Sequence, residues 1–221
     1  MELTFKSIFK QIKYFLIPLI IFFIISGIIL IIFTKGSIHL AINSFNTPIM
    51  DFFFKYATNL GDGLAAAIIA IIVLYKKYKG AFLIGFGAIL SGFIVQLIKR
   101  TLFSGAVRPS EYFKGIAELH TIPGVELYSF NSFPSGHSAT AICICLSLAL
   151  LTDNKKLQVL LSFMGILLAF SRVYLSQHFL VDIYFGALIG FVTTILLWYY
   201  LSKLENKAEW LAKGLKDLRK Q

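Results

Sequence analysis

Charge is scarce in this chain: Asp, Glu, Lys and Arg make up only 14% of its 221 residues. Soluble domains carry about a quarter. Together with 57% apolar residues, this scarcity excludes an ordinary water-soluble globule. The apolar runs approach twenty residues, so the membrane fold they imply is helical rather than a barrel. Acid is the scarcer sign, with 11 Asp and Glu against 21 Lys and Arg, a net charge of +10. The bases flank apolar runs, so the excess reads as positive-inside topology, and no nucleic-acid partner is expected. Cysteine is nearly absent. Cys143 and Cys145 are the only two, and on a helix they point to nearly opposite sides, which excludes a disulfide between them. They read as small packing residues. No repeat or low-complexity tract occurs. No small-x-small site follows the first apolar run, which is too long for a signal-peptide core and reads as an uncleaved span. The spans leave little chain for a separate soluble unit, so residues 1–221 are expected to form a single membrane-embedded domain.

What is there is an all-α pattern: a polytopic bundle of six transmembrane helices, flanked by interfacial amphipathic helices. The expected spans are about 14–33, 64–75, 79–98, 137–151, 157–174 and 178–201. In the third, Gly80, Gly85, Gly87 and Gly92 allow close helix contact. Before the first, Leu3, Phe5, Ile8, Phe9, Ile12 and Phe15 recur at helical spacing against Lys6, Lys10 and Lys13. A short amphipathic helix is expected within 41–54. A second interfacial helix is expected from Lys203, with Leu204, Ala208, Leu211, Leu215 and Leu218 on one face. Six spans put both termini on one side. That side holds fourteen Lys and Arg, Arg219 and Lys220 among them, against seven on the other. The termini are therefore expected to be cytoplasmic.

The minority side carries the chemistry. Lys99 and Arg100 close the third span, and Arg108-Pro109 follows in the longest polar connection. Pro134-Ser135-Gly136-His137 opens the fourth span, and Arg172, His178 and Asp182 straddle the start of the sixth. Ionisable groups at membrane depth are costly and mark function by default. Arginine forks and a lysine point charge suit a phosphate. A helix N-terminus adds free N–H groups, Ser135 can donate to an oxygen, and Gly136 permits close backbone approach. His178 and Asp182 are one helical turn apart, so the carboxylate can fix the imidazole tautomer. The pair suits attack on phosphorus, with His137 placed to protonate the leaving oxygen. A metal site is disfavoured, because His137, His178 and Asp182 would sit among repelling arginines. No cofactor is expected. His39 and His120 lack motif context and read as solvated loop residues. Asp51 and Asp62 read as local charge balance.

Pro134-Ser135-Gly136-His137, and Ser171-Arg172 followed by five residues, His178, three residues and Asp182, resemble the second and third signatures of the type 2 phosphatidic acid phosphatase family. The resemblance spans residues 99–182. It implies His178 as nucleophile forming a phosphohistidine, Asp182 as its orienter and His137 as general acid. It also implies phosphate binding by Lys99, Arg108, Ser135, Gly136 and Arg172. The implied activity is metal-independent hydrolysis of a lipid phosphate or pyrophosphate at the extracytoplasmic face of the cell membrane. The partners are then the bilayer and its lipid substrate. The first signature departs from the family pattern of lysine, six residues, Arg-Pro. Eight residues separate Lys99 from Arg108, and seven separate Arg100 from it. Lys99 with a loop extension is favoured over Arg100. A lipid phosphotransferase on the same site is the alternative enzyme, and a transporter is the alternative outside enzymes.

Overall fold

The computed structural model describes residues 3–205 and 207–218, and among these there are helices and no strands. In chain order they are α1 (Phe5–Gln11), α2 (Lys13–Ile32), α3 (Lys35–Ser44), α4 (Pro48–Ala57), α5 (Gly63–Leu74), α6 (Tyr78–Thr101), α7 (Pro109–Tyr112), α8 (Gly136–Leu150), α9 (Lys155–Tyr174), α10 (Leu180–Glu205) and α11 (Leu215–Leu218). Four of them, α2, α6, α9 and α10, are long and apolar enough to cross a membrane. A fifth crossing is counted if 48–61 and 63–74, bent by 58°, act as one span. A helix stands at each of the six expected places. However, α5 has 12 residues and α8 has 15, about 18 and 22 Å, against a hydrocarbon core of roughly 30 Å. Length and composition therefore carry four or five spans, not six.

The short helix is the central one. From Ser138 to Ser147 every residue of α8 is buried, and Ala139, Ala141, Cys143, Cys145, Ser147 and Ala149 keep it thin. It is packed by α6, α9 and α10. Small residues on the neighbours let those backbones close in. A Cβ on Gly186 of α10 would overlap the Ser135 carbonyl oxygen, and one on Gly190 would overlap the Ala139 carbonyl oxygen. Both cysteines are buried free thiols, and Cys143 Sγ faces Gly87 of α6.

Three expected amphipathic segments take a different form. The N-terminal helix inserts Ile8 into the core, with Ile12 and Phe15 beside it, against Leu150 and Trp198. Gln11 Nε2 donates to the Leu150 carbonyl (2.9 Å), so α1 is a packed element and not only an interfacial one. The single helix expected within 41–54 is two, because Thr47 caps the Met50 N–H (3.2 Å) and Pro48 starts a new helix. The tail helix is broken. After α10, a helical turn at Glu209–Ala212 buries Leu211, and α11 follows. Gly214 lies so close to the Lys76 backbone that only glycine fits. Tyr78 N–H donates to the Lys213 carbonyl (2.7 Å), docking the tail on the α5–α6 turn. Arg219 and Lys220, counted in the topology, lie outside the described residues.

The packing at Gly190 gives a direct check. Gly190→Ala must push α8 from α10 and is expected to lower unfolding stability in detergent by roughly 1–3 kcal/mol. Nothing lies within 4 Å of a Cβ placed on Gly92 of α6. Gly92→Ala is therefore expected to be neutral or to stabilise by up to ~1 kcal/mol. Equal losses in the two variants contradict the packing described.

Candidate active site

The site is assembled at the end of the bundle where α6 stops and α8 and α10 start. Ser135 is the N-cap of α8, and its Oγ accepts from Ser138 N–H (3.3 Å) and from Ser138 Oγ (2.8 Å). Gly136 and His137 are the first helical residues, whose N–H groups have no acceptor within the helix. Asp182 occupies the third position of α10 and reaches back to the N–H of Phe179 (2.9 Å), a helix-start cap. The same oxygen, Oδ2, accepts from Ser132 Oγ (2.5 Å) and lies 3.3 Å from His178 Nδ1. Facing a carboxylate, Nδ1 carries the proton, which leaves Nε2 with a free lone pair. The two helix starts are tied together, because Ser135 N–H donates to the Asp182 carbonyl (2.9 Å).

The cations surround this core. Arg172, in the last turn of α9, is 7% exposed and donates from Nη1 to Thr58 Oγ1 (2.7 Å), while its buried Nε has no partner. Arg108 caps α7 and donates from Nη1 to the Gln177 carbonyl (3.0 Å) and from Nε to the Phe130 carbonyl (2.9 Å). Lys99 is also 7% exposed, on the buried stripe Ser91, Val95, Lys99 of α6. Arg100, a hundred degrees around the helix, is exposed. The structure therefore brings Lys99, Arg108, Arg172, Ser135, Gly136, His137, His178 and Asp182 into one cluster, and Arg100 stands outside it. His137 and Arg108 are half-buried, whereas His178 and Asp182 are each 2% exposed.

Among the described residues, no group of three or more His, Cys, Asp or Glu side chains is arranged to hold a metal ion. His178 sits in the turn between α9 and α10, and burial pushes its imidazole well below the usual 6.5, with Asp182 opposing the shift.

Several contributors had little or no sequence signal. Ser132 and Thr58 hold Asp182 and Arg172, yet neither belongs to a motif. His39 is not solvated. It is 1% exposed, set between the rings of Phe113 and Phe179 (5.6 and 5.4 Å), and its Nε2 lies 3.2 Å from Ser176 Oγ. Burial pushes it down to about 4, against the pull of Asp182. His120 is half-buried, with Nε2 2.9 Å from Asp51 Oδ2, and Asp51 also accepts from Tyr174 Oη (2.6 Å). Asp62 caps α5 through Ala65 N–H (2.8 Å). Both acids are thus structural members, beyond charge balance.

Comparisons with known proteins agree with one another. Residues 80–206, more than half the chain, match the model of the PAP2 superfamily. Over 117 residues the chain is 32% identical to the lipid A 1-phosphatase of Rhizobium johnstonii, which covers 53% of this chain and 46% of that protein. The chain thus spans less than half the length of that curated relative. The crystal structure of Aquifex aeolicus LpxE is similar, with a TM-score of 0.61 at 25% identity over 73% of this chain and 92% of that one. The crystal structure of the transmembrane PAP2 type phosphatidylglycerolphosphate phosphatase from Bacillus subtilis gives 0.53 at 25% identity, over 90% and 97%.

Buried neutral histidine has a stability signature. His39 titrates near 4 when folded and near 6.5 when unfolded, so between these values the unfolded chain binds more protons. Stability is then lost as pH falls through that window. The thermal midpoint in detergent is expected to be lower at pH 5 than at pH 7, and His39→Phe is expected to narrow the difference. A difference left unchanged by His39→Phe contradicts a buried neutral ring.

Proposed function

The chain belongs to the PAP2 superfamily, and from that footing we propose that it is an integral membrane lipid phosphatase working through a phosphohistidine. The observation that carries this reading is the cluster itself. A histidine oriented by a carboxylate lies within electrostatic reach of buried Lys99 and of Arg108, with a second histidine at the adjacent helix start. Relatives named for lipid A 1-phosphate and phosphatidylglycerolphosphate support a phosphate carried by a lipid.

The chemistry follows from the geometry. His178 Nε2 attacks phosphorus in line, the P–O bond to the lipid breaks, and His137, protonated once the bound phosphate offsets the cations around it, gives its proton to the leaving alkoxide. His137, now neutral, takes a proton from water, whose oxygen attacks the phosphohistidine. The P–N bond breaks, which frees inorganic phosphate and restores His178. Lys99, Arg108 and Arg172 face the equatorial oxygens, where transition-state charge spreads, and the first N–H groups of α8 add to them. Ser132 and the Phe179 N–H keep Asp182 ionised and aimed. The half-exposed members, His137 and Arg108, form the mouth through which the phosphate enters.

The six-span arrangement with cytoplasmic termini and an extracytoplasmic site belongs to the same proposal. In it α8 is enclosed by protein, so its length need not match the hydrocarbon thickness. The excess of Lys and Arg at the opposite end supports the orientation.

Phosphate release from a panel of lipid phosphates tests the reading. His178→Ala is expected to lower turnover by roughly three orders of magnitude or more, and saturating chelator is expected to leave the wild-type rate unchanged. Wild-type turnover by His178→Ala sinks the mechanism. The two cations at the end of α6 separate in the same assay. Lys99→Ala is expected to lose about 100-fold or more, and Arg100→Ala to stay within about twofold, as an exposed charge outside the cluster should. The reverse order overturns the assignment of Lys99.

A further inference from the structure

The turn that presents His178 is built on an unexpected residue. At the end of α9, Ser176 N–H donates to the Val173 carbonyl (3.0 Å) and Gln177 N–H to the Arg172 carbonyl (3.0 Å). His178 N–H donates to that same Arg172 carbonyl (3.1 Å). These nested bonds form the helix ending in which the residue after the C-cap turns left-handed, a place that glycine usually fills. Here it is Ser176, with φ of 53°. A side chain held in that conformation is disfavoured and persists only where its surroundings impose it.

The surroundings are two side chains of α3. Ser176 is 1% exposed, and its Oγ accepts from Asn43 Nδ2 (3.2 Å) and meets His39 Nε2 (3.2 Å). His39 and Asn43 are four residues apart, on one face of α3. Asn43 also grips the long loop, since it donates to the His120 carbonyl (2.9 Å) and accepts from His120 N–H (2.8 Å). His39 is held between Phe113 of that loop and Phe179, the residue after His178. One face of α3 therefore fastens the loop and the catalytic turn to each other, from a part of the chain that carries no signature residue.

We propose that His39 and Asn43 are positioning residues, which act through the Ser176 hydroxyl to set the turn that aims Arg172 and His178 at the phosphate. The inference rests on the phosphatase reading for what the aimed groups do. Neither residue touches the reacting atoms. A glycine at 176 would relax the backbone and lose the grip, and that contrast separates positioning from simple packing.

The test uses the full-length protein in detergent, with lipid phosphate hydrolysis and hydrogen exchange as readouts. Ser176→Gly is expected to lower kcat roughly tenfold with KM within about twofold, although it removes a disfavoured conformation. His39→Phe keeps the ring stack and loses the bond, and is expected to match that loss, whereas His39→Gln, which restores a donor, is expected to recover most of it. Adding His39→Phe to Ser176→Gly is expected to cause little further loss, because the one polar contact of His39 ends on the oxygen already removed. In Asn43→Ala the Gln177 and His178 amides are expected to exchange faster than in wild type. Wild-type kcat in both Ser176→Gly and His39→Phe, multiplying losses in the double variant, or unchanged exchange each overturns the proposal. If wild type hydrolyses no lipid phosphate, faster exchange in Asn43→Ala upholds the grip of α3 on the turn. In that outcome it is the phosphatase reading that falls.

Discussion

One carboxylate oxygen, Oδ2 of Asp182, receives a hydroxyl from the long loop, an N–H from the start of its own helix and the ring of His178. The carbonyl of the same residue takes the first amide of the Pro-Ser-Gly-His turn. Four pieces of chain are fixed to one another there: the loop at Ser132, the turn at His178, the start of α8 and the start of α10. Asp182 is at once a helix cap and the orienter of an imidazole, and one geometry serves both. A lone carboxylate at this burial would be expensive. Three donors on one oxygen hold it in its charged form.

Around that anion stand more positive charges than it can match. Lys99 and Arg172 are almost fully buried, Arg108 half so, and Arg172 keeps a buried N–H without an acceptor. Carbonyls and the Thr58 hydroxyl take some of their protons, but these dipoles do not cancel the charge. Such an arrangement is under electrostatic stress. The packing of the bundle sustains that stress. The thin central helix, and the glycines of α10 against it, fix the backbones from which the charges project.

Much of the cluster is legible in the sequence, because spacing encodes it. His178 and Asp182 are one turn apart, and Pro-Ser-Gly-His is a helix start whatever surrounds it. The sequence favours Lys99 over Arg100 only on the tolerance of loops for insertions, and the structure puts Lys99 inside the cluster and Arg100 outside it. That placement follows from which face of α6 turns inward, a property of tertiary packing. Thr58 and Ser132 left no trace, since a single hydroxyl has neither period nor pattern. His39 is buried although a lone histidine in a mixed segment resembles a solvated one, and the rings of Phe113 and Phe179 make the difference. Its companion Asn43, four residues on, was the available clue. Length and composition do not carry a crossing at α5 alone or at α8, because both are short and α8 is enclosed by protein.

The brevity of α8 also sets a depth. Its first residue, Gly136, lies against Val95, and α6 continues six residues past that level to Thr101, roughly 9 Å at 1.5 Å per residue. The start of α8 is thus set back from the end of α6. Ions in the surrounding water screen buried charges at that level, Lys99 and Arg172 among them, much less than charges at a surface. For the phosphatase proposed, this depth favours a phosphate that stands out from its headgroup over one buried within a wide headgroup.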